Sequence, residues 1–191
     1  GGGSSNIKTL IIPDAQALTS DKRISNINQV SYEYSANNTA LYQKNSVNVS
    51  VSGIASNYFQ IRNLKVASGS EFTKDDYDNN EKVAILGSAT AQTLFVDQNP
   101  LGQFIRIGSA SFKVIGILES KGSMGPQNLD EIIYVPLETA QKILYGVSHL
   151  TSIYVKVSDA SKITDTQNQI GFLLLEKHNF KKVSEADFNV S

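Results

Sequence analysis

Residues 104–117 read FIRIGSASFKVIGI, in which two apolar runs flank a short polar segment. The apolar residues of the first run lie at 104, 105 and 107, and those of the second run lie at 112, 114, 115 and 117. Small and polar residues at 108–111 are typical of the turn between two paired strands. The segment therefore predicts an antiparallel β-hairpin inside a β-rich unit.

Strands and short helices alternate around this hairpin, from about Asn57 to about Tyr145. Short apolar runs predict buried strands, and a Ser or Pro ahead of apolar residues at helical spacing predicts the start of a helix. The elements predicted here are a buried strand over 83–86, a helix capped by Ser88 that runs through Phe95, a tight turn at 99–102, a mobile loop over 119–128, a strand over 132–135 and a helix from Pro136 through Leu144.

The two flanking sections each read as strand, helix and strand. In the first, the predictions are a strand over 7–12 closed by Pro13, a helix that starts between Leu18 and Asp21 with Ile24 and Ile27 on its buried face, a strand over 30–34, a turn at Asn37-Asn38 and a strand over 47–51. In the last, they are a strand over 152–157, a helix capped by Asp159 with Ile163, Ile170, Leu173 and Leu174 on its buried face, and a strand within 182–190.

This layout predicts an α+β fold with two lobes. Residues 1–5 read as a flexible Gly/Ser linker, residues 6–55 and 150–191 form a lobe from both chain ends, and residues 56–149 form an inserted, β-rich lobe. Two flanking halves place the termini together at one end, as expected of a domain looped out between two membrane helices. The start without Met indicates a piece of a longer product.

Composition excludes several classes of function. The 191 residues carry 17 basic and 18 acidic side chains, so the formal net charge of -1 offers no basic field for nucleic acid. There is no cysteine, which removes disulfides and thiolate chemistry. No stretch reaches the roughly 18–20 consecutive apolar residues that a membrane-spanning helix needs.

The search for catalytic, metal or nucleotide sites predicts none. His149 and His178 have no triad pattern near them, and a solvated surface role is the simpler interpretation. The acidic turn from Asp76 begins like an EF-hand loop, but Glu81 stands where Gly is needed and Gly87 where a bidentate Glu is needed. No phosphate-binding P-loop occurs, so any ATP-driven role depends on another domain.

A series of short motifs runs through the middle section, at 51–54, 57–61, 69–73 with Asp75-Asp76, 83–87, 91–95, 99–103, 105–107, 112–117, 130–137 and 139–141. Each motif is common alone, but their order over about ninety residues is specific. Together they resemble the extracytoplasmic core domain of MacB-type ABC transporter permeases, the FtsX-like family. In the flanks, Leu18-Thr19 with Asp21 is the best fragment.

The resemblance implies a Porter-like lobe near the membrane and an inserted Sabre-like lobe, between the first and second membrane helices of a homodimeric permease. Members of the family transmit cytoplasmic ATP-driven change across the membrane to drive efflux of drugs, peptides or toxins, or extraction of lipoproteins. The implied partners are the chain's own membrane helices, an ABC ATPase domain that holds ATP and Mg²⁺, a MacA-like adaptor and a TolC-like duct. The isolated domain is expected to be monomeric, to hold no cofactor and to lie on the periplasmic or extracellular side.

The loop over 119–128 is the predicted contact with the adaptor or cargo, because its composition is Gly-rich and polar. The residues assigned to this contact are Lys121, Gly122, Ser123, Met124, Gly125 and Gln127. The alternative function is a stand-alone extracytoplasmic binding or scaffold module that shares the fold. Apolar segments of about 20 residues on both sides of the chain would favour the transporter.

Overall fold

The structure is a computed structural model that describes residues 10–124, 127–178 and 189–190. Its helices are α1 (Ile12–Ser20), α2 (Tyr58–Ile61), α3 (Lys74–Asp78), α4 (Ser88–Phe95), a π-helix (Thr139–Tyr145) and α5 (Ile163–His178). Its strands are β1 (Ile27–Tyr42), β2 (Asn45–Ile54), β3 (Val66–Gly69), β4 (Val83–Leu86), β5 (Phe104–Ile107), β6 (Ala110–Leu118), β7 (Ser123–Met124), β8 (Gln127–Asn128), β9 (Ile132–Pro136), β10 (Ser152–Val157) and β11 (Asn189–Val190). The mixed content confirms the predicted α+β class.

The chain divides into two compact units, residues 1–33 with 148–191 and residues 34–147. The sequence placed this division after residue 55 and after residue 149. Residues 34–55 lie in the second unit because β2 pairs with β9 there and β1 pairs with β5. The names Porter-like and Sabre-like, and the boundary at 56–149, stay predictions.

In the first unit, β10 pairs antiparallel with residues 27–33 of β1 and parallel with β11. The helix α5 buries Ile170, Leu173 and Leu174, which confirms that this apolar stripe belongs to the core. The predicted strand over 152–157 is also confirmed. Of the predicted final strand within 182–190, the structure describes residues 189–190, and the remainder lies outside the described residues.

The start of the chain differs from the prediction. Where Leu10–Ile12 were expected to end a strand and Leu18–Asp21 to begin a helix, α1 already runs from Ile12 to Ser20. Pro13 is tolerated in the first turn because its missing N–H has no helical partner there, and the Asp14 carboxylate accepts from the Ile11 N–H at 2.9 Å. The Pro-Asp pair thus starts a helix instead of closing a strand.

Two smaller predictions in these sections are also wrong. Ile24 and Ile27 are only half-buried and do not belong to a helix, since Ile27 opens β1. Asn37 and Asn38 lie inside β1 and form no turn, because the chain reverses after Tyr42, where Gln43 takes a φ of 52°. Long strand pairing overrides the local turn preference of Asn.

In the second unit the sheet order is β1-β2-β9-β4-β6-β3, and β5 pairs with both β6 and β1. The hairpin predicted over 104–117 is confirmed as β5 and β6, with Phe104 opposite Lys113 and Ile107 opposite Ala110. Strands β2/β9 and β4/β6 run parallel, whereas β4/β9 and β3/β6 run antiparallel. The core between the sheet and its helices contains fully buried Tyr58, Phe95, Phe112 and Tyr134.

Of the helices of this unit, α4 and the helix after Pro136 match the prediction except at their starts, whereas α2 and α3 were not predicted. The helix α4 begins at Ser88 with Gly87 as its N-cap, one residue earlier than expected. Pro136 ends β9, and the following helix contains a π-helix from Thr139 to Tyr145. No helix within the described part of the chain is long and apolar enough to cross a membrane.

Candidate functional site

The predicted contact loop contains a two-stranded hairpin, in which β7 pairs antiparallel with β8. Ser123 lies opposite Asn128 and Met124 opposite Gln127, and the Leu129 N–H donates to the Gly122 carbonyl at 3.1 Å. We refer to residues 121–128 as the contact hairpin. The predicted residues Lys121, Gly122, Ser123, Met124 and Gln127 are therefore brought together, while Gly125 lies outside the described residues.

The base of the contact hairpin is held by the carboxylate of Asp130. Its oxygens accept from the Lys121 N–H at 2.7 Å, from the Ser120 hydroxyl at 2.8 Å and from the Gly122 N–H at 2.9 Å. The Asp130 N–H in turn donates to the side-chain oxygen of Asn128 at 3.1 Å. Asp130 thus contacts both ends of the contact hairpin, the first through its carboxylate and the second through its backbone N–H.

Asp130 itself is fixed against the start of α4. A Cβ on Gly87 would lie 2.4 Å from the Asp130 carbonyl oxygen and 2.6 Å from the Asp130 carbonyl carbon. The Gly87 N–H donates to the Ile132 carbonyl at 2.8 Å. The chain can pass this closely only because residue 87 has no side chain.

The side chain of Lys121 bridges to another loop of the same unit. Its Nζ donates to the Asn63 carbonyl at 3.1 Å, across a shallow cleft of about 210 Å³ lined by residues 63–65 and 119–121. The side chain of Ser123 is exposed and takes no part in the hydrogen bonds that hold the base of the contact hairpin. It is therefore more available to a partner than the side chain of Lys121. Composition identified this loop, but it gave no signal for Asp130 or Gly87.

The acidic turn and the two histidines, the other candidates for a catalytic or metal site, do not belong to the contact hairpin. The acidic turn forms α3, in which Asp76 and Thr73 cap each other's N–H groups and Lys74 pairs with Asp78. His149 belongs to the first unit, and the side chain of His178 lies outside the described residues. Within the ranges that the structure describes, no three His, Asp or Glu side chains are grouped to hold a metal ion.

Removing the carboxylate of Asp130 is expected to loosen the contact hairpin. The substitution Asp130→Ala leaves two backbone N–H groups and the hydroxyls of Ser120 and Ser88 without this acceptor, which we expect to lower the free energy of unfolding by about 1–2 kcal/mol. Hydrogen exchange at Lys121 and Gly122 should accelerate more than at β4. The matched control is Asp75→Ala on exposed α3, which should change stability by less than about 0.5 kcal/mol.

The anchor should also be lost in acid. Burial raises the pKa of Asp130, but the N–H groups of Lys121 and Gly122 and the hydroxyls of Ser120 and Ser88 outweigh it, so the pKa lies below its usual value. A lowered folded pKa means that the stabilisation is complete above an unfolded pKa of about 3.9 and disappears as the pH falls through the folded pKa. After correction for the intrinsic pH dependence of exchange, the Gly122 amide should be protected above the unfolded pKa. It should lose this protection as the pH falls through the folded pKa. Equal protection at all acidic pH values would contradict this assignment.

Comparison with known proteins gives a consistent result. The model of the family described as MacB-like periplasmic core domain matches residues 1–171. The chain is 34% identical over 173 residues to the macrolide export ATP-binding/permease protein MacB of Bdellovibrio bacteriovorus, covering 90% of this chain and 27% of that protein. It is 37% identical over 174 residues to the protein of the same name from Hyphomonas neptunium, covering 90% and 26%. The chain spans about a quarter of the length of these curated relatives.

Solved structures share the fold. The periplasmic region of MacB from Actinobacillus actinomycetemcomitans superimposes with a TM-score of 0.79 at 28% identity, covering 94% of this chain and 79% of that one. The extracellular domain of the ABC-type transporter YknZ from Gram-positive bacteria gives a TM-score of 0.78 at 24% identity, covering 93% and 89%. At that identity the second likeness concerns the fold alone.

Proposed function

The chain belongs to the MacB-like periplasmic core domain family, and from this premise we propose that it is the extracytoplasmic domain of an ABC-type export permease. The observation that carries the proposal is the match over 90% of the chain to proteins named macrolide export ATP-binding/permease protein MacB. Those names combine an ATP-binding part and a permease part, and this chain has neither a P-loop nor an apolar stretch of membrane-spanning length. The parent protein is thus proposed to supply membrane helices and an ATPase domain that binds ATP and Mg²⁺.

The proposed role of the domain is mechanical. Displacement of the membrane helices during the ATPase cycle moves the domain on the periplasmic or extracellular side, and the domain passes this movement to a partner. A packed sheet suits that role because close-packed interiors transmit displacement and deform little. The mixed sheet of the second unit, with Ile85, Ile133 and Tyr134 fully buried, supports it.

The contact hairpin is the proposed site where a MacA-like adaptor or the exported cargo meets the domain. Its support is the exposed position of Ser123 together with a base fixed by Asp130 and Gly87. A surface that must receive force gains from such anchoring, because an unanchored loop would yield before the partner moves. A TolC-like duct, a homodimeric assembly and drug, peptide, toxin or lipoprotein cargo complete the proposal.

The proposal is tested on the parent reading frame and on the position of this domain relative to the membrane. Apolar segments of about 20 residues are expected on both sides of the chain, with a P-loop ATPase in the same or a neighbouring frame. The chain has no cysteine, so a single Ser109→Cys substitution in the exposed β5–β6 turn introduces one new thiol. In intact cells with a permeabilised outer layer, a membrane-impermeant maleimide should label it.

Two results would contradict the transporter function. A frame with a cleavable signal and no membrane helices would favour a stand-alone binding or scaffold module. Labelling of the introduced thiol only after the cytoplasmic membrane is broken would place the domain inside the cell. The parent protein without the substitution is the control for any cysteine elsewhere in it.

A further inference from the structure

Strand β2 has an edge that its neighbour covers only in part. The sheet places β1 on one side of β2 and β9 on the other. The pairing with β9 begins at Ser50 opposite Ile132 and ends at Ile54 opposite Pro136. The chain before Ile132 leaves the sheet in a 3₁₀ turn over Leu129–Glu131, so β9 does not reach residues 45–49.

A groove of about 350 Å³ lies at this uncovered edge, and β8 of the contact hairpin forms its opposite wall. Five of its seven lining residues have polar side chains, namely Asn48, Ser50, Gln127, Asn128 and Glu131. Ser50 is engaged with the hydroxyl of Ser35 at 2.8 Å. The size falls within the range of about 300–1,000 Å³ that is usual for binding sites.

The amide side chains of the lining can donate hydrogen bonds into the groove. The oxygen of Asn48 accepts from the Thr39 hydroxyl at 2.7 Å, and the oxygen of Asn128 accepts from the Asp130 N–H at 3.1 Å. Each oxygen already has a donor, and among the described residues neither NH₂ group donates a hydrogen bond, so both can donate to other acceptors. Peptide carbonyl groups are acceptors of the right kind.

Glu131 gives the groove its charge. Its side chain is exposed, it is the one charged residue of the lining, and it takes part in none of the ion pairs among the described residues. A carboxylate at a binding groove favours a cation in the ligand, and an Arg or Lys meets that need.

We propose that this groove binds an extended segment of a partner protein, which adds to the uncovered edge of β2 and presents a Lys or Arg to Glu131. An uncovered edge offers backbone N–H and C=O groups at the strand repeat, and an extended polypeptide offers the same groups in return. The amides of Asn48 and Asn128 bind further carbonyls of the segment, and Glu131 selects its charge. The inference goes beyond the proposed function, since it would hold equally for a stand-alone module.

The test is an NMR titration of the ¹⁵N-labelled chain with three short capped peptides. The first alternates threonine and lysine, the second has glutamate in place of lysine, and the third is the lysine peptide with every other backbone nitrogen methylated. We expect the lysine peptide to shift the amide signals of residues 46–50 and 127–131. Methylation should abolish these shifts because it removes the donors that strand addition needs.

Charge variants test the role of Glu131. The substitution Glu131→Lys should weaken binding of the lysine peptide by about 3- to 10-fold, since a partly exposed ion pair is replaced by a repulsion. Glu131→Gln, which keeps the shape, should give a smaller loss in the same direction. The matched control Glu71→Lys makes the same charge change at another exposed position of the unit and should leave binding unchanged.

Several outcomes would overturn the proposal. They are the absence of shifts at residues 46–50, equal binding of the glutamate or methylated peptide, and an unchanged affinity of Glu131→Lys. Peptide binding is measured on the chain alone, without transport, so its failure leaves the proposed transporter function standing. A failure of transport in the parent protein likewise says nothing about this groove.

Discussion

Replacing Phe59 by alanine is expected to lower the free energy of unfolding by about 3–5 kcal/mol, because it empties the centre of an aromatic cluster. Phe59 is 5% exposed, and its ring lies 5.2 Å from that of Tyr134 in an edge-to-face arrangement at 78°. The rings of Tyr58 and Phe72 are each 6.3 Å away. The loss therefore combines buried area, a cavity and three aromatic contacts.

Two further variants separate packing from general effects of substitution. Phe59→Leu keeps most of the apolar volume and should cost only about 1–2 kcal/mol. Phe104→Ala removes the same side chain at a position that is 61% exposed and should cost less than about 1 kcal/mol. Urea unfolding followed by circular dichroism measures all three variants. Equal losses for Phe59→Ala and Phe104→Ala would contradict the assignment of Phe59 to the core.

Replacing Gly87 by alanine is expected to cost about 2–3 kcal/mol, because the new Cβ would overlap the backbone of Asp130. The distances of 2.4 Å and 2.6 Å to its carbonyl group are shorter than any ordinary contact, and the Ile132 carbonyl oxygen lies at 3.0 Å. Backbone atoms cannot rotate away as a flexible side chain can. The segment that carries Asp130 must move, so hydrogen exchange in the contact hairpin should rise together with the loss of stability.

The control for Gly87→Ala is Gly102→Ala, which isolates backbone strain from overlap. Gly87 has a φ of -61°, which alanine adopts without strain, whereas Gly102 has a φ of 81° and nothing within 4 Å of a new Cβ. Gly102→Ala should therefore cost about 1–2 kcal/mol and leave exchange at Lys121 and Gly122 unchanged. Equal protection of Lys121 and Gly122 from hydrogen exchange in Gly87→Ala and Gly102→Ala would contradict the proposal that Gly87 and Asp130 anchor the contact hairpin.

Local pattern was sufficient for β2, β4, β5, β6, β9 and β10 and for α4, the helix after Pro136 and α5, but it did not predict β3, α2 or α3. The run 104–117 has apolar residues at strand spacing and a small polar turn, and it forms β5 and β6 as predicted. The stripe Ile170, Leu173 and Leu174 has helical spacing and is buried on α5. In both cases each residue's own preference agrees with the fold around it, which is the condition for a prediction from sequence to succeed.

The errors arose where one local signal has two interpretations. Proline both ends strands and starts helices, and at Pro13 the bond from the Ile11 N–H to Asp14 favours the helix. Asn37 and Asn38 favour turns, but pairing along β1 holds them in a strand. The candidate site shows the same limit, because composition marked the loop but not the residues that anchor it. The carboxylate of Asp130 accepts from residues eight to ten positions earlier, and Gly87 packs against Asp130 from a segment that is distant in sequence.

The most direct test of the central claim uses the parent protein in its membrane, with residues 121–127 replaced by a Gly/Ser segment of equal length. The control carries Gly/Ser in place of Val96-Asp97-Gln98, which are exposed in the same unit. Co-purification of a MacA-like adaptor and ATP-dependent export are measured at matched protein levels in the membrane. We predict that the first variant loses both and the control keeps both. Full adaptor binding and export by the first variant would contradict the account.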